Sequence, residues 1–266
     1  MRIGIIGGGF MGEAFLRGIL RARVAAPGDI AIAEIAPARR LQLAEHGVRV
    51  TDDTESATIG ADVVLLAVKP QDLGHVAGGL QGAIPRDAVL ISIAAGVRLE
   101  DIRRYSAHRA SVRVMPNLPA AVGEGAVVFY ASPDVTDAHR QHLEAVLGAV
   151  ASAVVEVHDD DAVDLATAVH GSGPAYVYLF IESMIDAAVR LGMKRPDAQS
   201  LVLATVAGSA RYAVESGLHP AALRNAVTSP GGTTAAALAE LEAAGFRTAI
   251  DSAIEAAYER AHELGE

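Results

Sequence analysis

No cysteine occurs among the 266 residues, which excludes disulfides, thiolate catalysis and cysteine-ligated metals together. Positive charge is the minority sign: 22 Lys and Arg stand against 32 Asp and Glu, a formal net charge of −10. That balance argues against nucleic acid or an anionic membrane as a partner. No run of about eighteen apolar residues occurs, and the opening Met1-Arg2-Ile3-Gly4-Ile5-Ile6-Gly7 lacks the long apolar core and small-residue cleavage site of a secretory signal. The expectation is a soluble, cytoplasmic protein with no metal site. What is present in quantity is hydrophobic side chain, 51% of the chain, enough for one large or two modest domains with a proper core.

The first informative stretch is Gly7-Gly8-Gly9-Phe10-Met11-Gly12, which follows the short apolar segment Arg2–Ile6 and leads into a helical pattern from Glu13 to about Arg23. This is G-x-G-x-x-G with a strand before it and a helix after it. Gly7 permits the tight turn, Gly9 lets the backbone approach a pyrophosphate, and Gly12 lets helix pack closely on strand. A second apolar strand, Asp29–Glu34, ends in an acid about twenty residues past the last glycine, the place where a dinucleotide fold keeps its ribose-binding carboxylate. The competing reading is a purely structural glycine turn.

Strand and helix signals then alternate: helices near Pro37–His46 and Glu55–Ile59, and strands at Val48–Val50 and Asp62–Val68. Further strands follow at Ala88–Ala94, Ser111–Met115, Ala126–Ala131 and Ala153–Val157, with helices near Leu99–Ser106 and Asp134–Val150. The pattern predicts a doubly wound, largely parallel α/β sheet of the Rossmann type over residues 1–158. Ligands in such sheets sit beyond the carboxyl ends of the strands. Ala67-Val68-Lys69-Pro70, Ala94-Ala95-Gly96 and Met115-Pro116-Asn117 are therefore expected to line a cofactor crevice, though each alone also reads as a plain loop. After His158-Asp159-Asp160-Asp161 the strand punctuation stops. An amphipathic stretch, Ala162–His170, is followed by the break Gly171-Ser172-Gly173-Pro174 and by helical patterns over Ala175–Leu191, Pro196–Ser216, His219–Ala226 and Ala235–Leu264. Residues 159–266 thus form a second, all-α domain. Its helices are too apolar to be covered within one chain, which points to a homodimer or an oligomer of dimers.

Within that domain, Thr228-Ser229-Pro230-Gly231-Gly232-Thr233-Thr234 is a tight turn that delivers the chain into an alanine-rich helix. Unpaired N–H groups, the positive end of the helix dipole, the hydroxyls of Ser229, Thr233 and Thr234 and two glycines together suit a small anion such as a carboxylate. The alternative is that Thr233 or Thr234 merely caps the helix.

Ile5–Gly12, Ala67–Pro70, Arg113-Val114-Met115-Pro116-Asn117, Gly171-Ser172-Gly173-Pro174-Ala175-Tyr176 and Pro220–Glu242 with its Ser-Pro-Gly-Gly-Thr-Thr centre together resemble the pyrroline-5-carboxylate reductase family across essentially the whole chain. The resemblance implies an N-terminal Rossmann domain, a helical domain that interlocks with a second subunit, and an active site between nicotinamide and turn. It implies that NAD(P)H reduces the small-molecule substrate 1-pyrroline-5-carboxylate to proline. Ser229, Gly231, Gly232, Thr233 and Thr234 hold the substrate carboxylate in this reading, Asp160 joins the substrate set, and Thr234 is the polar partner of the ring nitrogen. The cofactor set comprises Gly7, Gly8, Gly9, Phe10, Met11, Gly12, Glu34, Arg39, Thr54, Ala67, Val68, Lys69, Pro70, Ala94, Ala95, Gly96 and Asn117. No His or carboxylic acid is obligatory, because an iminium can form before binding.

Three positions depart from the family pattern: Leu118, where a small residue is usual; His170, also usually small; and Ala226, usually Asn. They leave open another cyclic imine acid as substrate. A second functional class, a nucleotide-binding regulatory protein without turnover, is disfavoured by the intact turn. Cofactor choice is mixed. Glu34 at the strand tip favours NADH by repelling a 2′-phosphate, whereas Arg39 and Arg40, whose default place is the solvent-facing side of their helix, can neutralise one if Glu34 swings outward.

Overall fold

The structure, a computed structural model, describes residues 1–265. It divides into two compact units, Met1–Ser172 together with the C-terminal stretch from Ala257, and Gly173–Ala256.

The first unit is built on an eight-stranded sheet in the order β3-β2-β1-β4-β5-β6-β7-β8. The strands are β1 (Ile3–Ile6), β2 (Ile30–Ala33), β3 (Arg49–Thr51), β4 (Val63–Leu66), β5 (Val89–Ser92), β6 (Ser111–Pro116), β7 (Gly125–Ala131) and β8 (Ala151–Glu156). All neighbours are parallel except β6 and β7, which run antiparallel. The central strands are short runs of Ile, Val, Leu and Ala, with Gly4 in β1, and every residue is buried, as expected of strands covered on both faces. Their alternation is visible in the packing. Ile3, Ile5, Val63 and Leu65 join one hydrophobic cluster with Phe15 and Ile19, while Ile6, Val64 and Leu66 join another with Leu73, Ala77 and Ile102.

The covering helices are α1 (Phe10–Arg21), α2 (Pro37–Ala44), α3 (Thr54–Thr58), α4 (Pro70–Gly79), α5 (Leu99–Ser106) and α6 (Asp137–Gly148). Helix α4 was not foreseen. Its Gly74, Gly78 and Gly79 read as breakers, yet Leu73 and Ala77 are fully buried four residues apart, and that burial outweighs the low propensity of glycine. A short 3₁₀ segment at Leu118–Val122 was likewise not foreseen.

The expected domain boundary falls at the end of β8, but the compact sheet unit continues through α7 (Asp160–Ala166) and a π-turn at Thr167–Gly171. An ion cluster fastens α7 to the sheet. Arg113, buried on β6, contacts Asp160 at 2.7 Å and also pairs with Asp164, which is itself buried.

The second unit carries α8 (Gly173–Arg190), α9 (Arg195–Ser216), α10 (Pro220–Ala226), α11 (Thr233–Ala243) and the start of α12 (Phe246–Gly265). The predicted single helix over Ala235–Leu264 is two, because Gly245 adopts φ +75° and breaks the run. Within Gly173–Ala256 only Ala198 and Val202 are buried, while Leu179, Tyr212 and Val214 are 63%, 61% and 83% exposed. A segment of this length with two buried residues has no core of its own, and another copy of the chain is what can supply one. Among the described residues, no helix is long and apolar enough to cross a membrane.

Two outcomes follow. The melting temperature should rise with protein concentration, as linkage requires when folding and association are coupled, and light scattering should never detect a folded full-length monomer. Gly12→Ala should cost about 3 kcal/mol, a Tm drop of roughly 5–10 °C, because its Cβ would lie 2.0 Å from the Gly7 carbonyl oxygen. Gly9→Ala meets nothing within 4 Å and should leave the Tm of the ligand-free protein within a degree or two.

Candidate active site

The carboxyl edge of the sheet gathers the residues expected around a dinucleotide. Gly7 leaves β1 with φ +105°, a backbone region that side chains rarely adopt, and a Cβ there would lie 2.5 Å from the Ala67 carbonyl oxygen. Gly8 is packed against the Leu43 side chain, and Gly12 sits against the Gly7 carbonyl and the Ala67 methyl. Gly9 alone opens onto free space, and it is the N-cap of α1 with no side chain bonded to the helix end. The floor is closed and the rim open, so a pyrophosphate fits the free amides at this helix N-terminus. Phe10 stands 59% exposed at the first position of that helix, and Met11 is half-buried beside it.

The neighbouring loops arrive as expected. Ala67 and Val68 follow β4, Lys69 is the N-cap of α4 and Pro70 its first residue. Ala94 is buried, Ala95 exposed, and Gly96 turns with φ +72° against the last turn of α12 at Leu264. Thr54 is the first residue of α3, whose cap is made by the Asp53 carboxylate on Glu55 N–H at 3.0 Å.

Glu34 lies just beyond β2, and both its carboxylate oxygens accept backbone protons, from Gly8 at 2.9 Å and from Ala36 at 2.8 Å. Arg39 corrects the expectation that the arginines lie on the solvent side of their helix. Its Nε donates to the Gly8 carbonyl at 2.7 Å, and its terminal nitrogens reach Gln42 and Glu13. Arg40 also turns inward, donating to the carbonyls of Glu34 and Ile35 at 2.9 Å and facing Asp52 at 3.4 Å. The guanidinium of Arg39 holds the Glu13 carboxyl below the usual carboxylate range. The reason the helix periodicity missed this is length: a long side chain can fold back over the first turn to reach orphaned backbone oxygens.

At the end of β6, Asn117 is buried and its amide is spent inside the protein, donating to the His170 carbonyl at 3.1 Å and accepting from Ala126 N–H at 2.9 Å. His170, within the π-turn, has its ring nitrogens at 2.6 Å and 2.9 Å from the carbonyl oxygens of Ala166 and Met115. It braces the turn onto β6 and has no ring nitrogen left for a substrate. Leu118, by contrast, is exposed at the start of the 3₁₀ segment.

Asp160 opens α7 with its carboxylate engaged by Arg113 and by Leu99 N–H at 3.0 Å. Nearby, ligand-type atoms of Asp161, Asp164 and His262 lie within 4.8 Å of one another, but Arg98 and Arg113 already pair the two carboxylates.

The turn in the second unit has the geometry of an anion site. Gly231 has φ +71°, and a Cβ on Gly232 would lie 2.4 Å from the Ser229 Oγ. Gly232, not a threonine, is the N-cap of α11, and no side chain caps that helix; Thr233 and Thr234 are its first two residues. The capping alternative for the threonines therefore fails, and the helix end is left to a ligand or to water.

Residues 160–264 match the family described as pyrroline-5-carboxylate reductase dimerisation, and residues 2–96 match that described as NADP oxidoreductase, coenzyme F420-dependent. The chain is 44% identical to a pyrroline-5-carboxylate reductase of Synechocystis over 100% of its own length and 98% of the relative's. It is 38% identical to that of Pisum sativum over 98% and 95%. Among solved structures it superposes on a pyrroline-5-carboxylate reductase from Coxiella burnetii with a TM-score of 0.93 at 34% identity, covering 100% and 98% of the two chains. It superposes on a Plasmodium falciparum pyrroline carboxylate reductase with NADP bound with a TM-score of 0.88 at 30% identity, covering 100% and 98%. With a glycine-rich loop under β1, an uncapped Gly-Gly helix entry at α11 and relatives alike from end to end, this chain belongs to the pyrroline-5-carboxylate reductase family.

Proposed function

We propose that the chain reduces 1-pyrroline-5-carboxylate to proline with NAD(P)H, the closing step of proline biosynthesis, and that it does so as a homodimer or a larger assembly of dimers. The observation that carries the reading is a pair of helix N-termini, on α1 and α11, that no side chain caps. One suits a pyrophosphate and the other a carboxylate, the anionic handles of the two reactants.

The bound cofactor supplies a hydride to the C=N carbon of the cyclic imine, whose nitrogen takes up a proton. The chain's own residues bind and orient. Gly7 to Gly12 cradle the dinucleotide, with Phe10, Met11 and Thr54 at its edge. The loops Ala67–Pro70 and Ala94–Gly96 line the crevice, and Asn117 shapes its floor through its internal hydrogen bonds rather than by a direct contact. At the turn, the backbone of Gly231 and Gly232 and the hydroxyls of Ser229, Thr233 and Thr234 take the substrate carboxylate. Thr234, half-buried at the second position of α11, is assigned the polar contact to the ring nitrogen. Asp160 takes part through Arg113 and the Leu99 amide, whose positions it fixes. A positioned iminium needs orientation more than a general acid.

For the cofactor, we favour NADH being used at least as well as NADPH. Glu34 accepts two backbone protons and is therefore held at the ribose end of the site rather than free to swing outward. Its charge opposes a 2′-phosphate.

Loss of reduced-nicotinamide absorbance with pyrroline-5-carboxylate tests the activity directly, and the six-membered homologue should be the poorer substrate. Thr234→Ala should lower kcat/KM for the imine by roughly 1–3 kcal/mol while the KM for the cofactor stays nearly constant; wild-type kinetics would remove Thr234 from the site. Glu34→Ser should move the NADPH to NADH ratio of kcat/KM upward by about tenfold, or about 1.4 kcal/mol. An unmoved ratio would take Glu34 out of cofactor choice.

A further inference from the structure

The glycine loop is gripped at Gly8 from two sides. Its N–H donates to Glu34 Oε2 at 2.9 Å, and its carbonyl accepts from Arg39 Nε at 2.7 Å. A carboxylate and a guanidinium thus meet at one residue, at the end of the site where the adenosine ribose of a dinucleotide lies. The guanidinium is occupied on every nitrogen: Nε by Gly8, one terminal nitrogen by Gln42 Oε1 at 2.8 Å, the other by Glu13.

Glu13 belongs to the first turn of α1, where an acid is stabilised by the helix dipole, and only a quarter of its side chain is exposed. Its second oxygen faces His46 Nε2 at 3.3 Å. The groups facing this carboxylate are therefore Arg39 and His46. Arg40, the other nearby guanidinium, is turned to the carbonyls of Glu34 and Ile35 and towards Asp52.

We infer that Glu13 is a specificity-determining residue for the cofactor: by holding the Arg39 guanidinium against α1 and the glycine loop, it withholds that cation from the 2′-phosphate of NADPH. The inference rests on the reading of Glu34 as the ribose-facing carboxylate and adds to it. Glu34 repels the phosphate, and Glu13 keeps the compensating charge occupied. Arginine serves a phosphate best by a two-pronged contact, and this guanidinium, with three of its five N–H donors engaged and its charge paired with Glu13, is held against α1 and the glycine loop rather than free to turn its fork to a phosphate.

The test uses the full-length protein and calorimetric binding of two probes, adenosine 2′,5′-bisphosphate and adenosine 5′-diphosphate. Glu13→Gln keeps an acceptor for Arg39 but removes the charge, and should tighten the bisphosphate by about fivefold, the scale of one partly exposed ion pair, with the diphosphate unchanged. The gain should vanish when Arg39→Ala is added. No gain in Glu13→Gln, or a gain that survives Arg39→Ala, overturns the inference, the second because simple charge removal would then suffice. Glu13→Ala serves as the second variant, with the same expectation, should Glu13→Gln melt early. Glu34→Ser is run alongside. If it leaves the ratio of the two probes unmoved while Glu13→Gln shifts it, the Glu34 reading falls and the Glu13 assignment stands; the reverse pattern removes Glu13 alone.

Discussion

The constraint on which the rest depends is that Gly173–Ala256 is a set of helices without an interior. Burying a Leu, Val or Phe side chain is worth about 1.5–3 kcal/mol relative to leaving it in water. Leu179, Phe180, Leu201, Leu203 and Val214 forgo that gain in a single chain, each being 42–83% exposed. Conformational entropy of about 1–2 kcal/mol per residue must still be overcome for the whole segment. Association is therefore part of folding here, and the dimerisation family matched by residues 160–264 agrees with the physics of the exposed faces. The Ser229–Thr234 turn belongs to this unit. Its geometry thus relies on helices that are held in place only once copies of the chain have met.

The sheet unit shows the opposite economy, with its site built from close backbone contact. Gly7, Gly8 and Gly12 are each pressed against a neighbour that a methyl group would strike, whereas Gly9 faces open space. The loop therefore has little room to move beneath the ligand and nothing above it. Polar atoms of Gly8 that a strand ladder would have paired are taken by Glu34 and Arg39 instead. Opposite charges on the two sides of one residue hold the loop in register.

Much of this was legible in the residues. The strand, glycine and helix order at Ile3–Arg21 could be read because each glycine has a separate steric duty, and the turn at Thr228–Gly232 because Pro and Gly stop a helix while the alanines restart one. Helix α4 was not legible, since Gly74, Gly78 and Gly79 mask a helix whose stability comes from burying Leu73 and Ala77 in tertiary contacts. Gly245 could be taken for a tolerated helical glycine until its positive φ was seen. The inward fold of Arg39 and the double bonding of His170 depend on carbonyls distant in sequence, Gly8 in one case and Met115 in the other. No local pattern encodes such partners. The same holds for Asn117, whose place at the end of a strand was readable but whose amide is committed to Ala126 and His170.

The acids at the start of α7 complete the argument about chemistry. Asp160 is expected among the substrate-binding residues, and its oxygens are held by Arg113 and the Leu99 amide, while Asp164 shares the same guanidinium. A buried pair of this kind is weak evidence for net stability, but removing one partner would leave a buried charge uncompensated, so these acids are fixed in place. The entry of α11, with Gly232 as N-cap and no side chain capping it, offers backbone N–H groups and hydroxyls, a set that suits an anion without a titrating side chain. That arrangement suits the reduction of a cyclic imine, whose substrate can bring its own proton as an iminium and whose reducing equivalent comes from a cofactor.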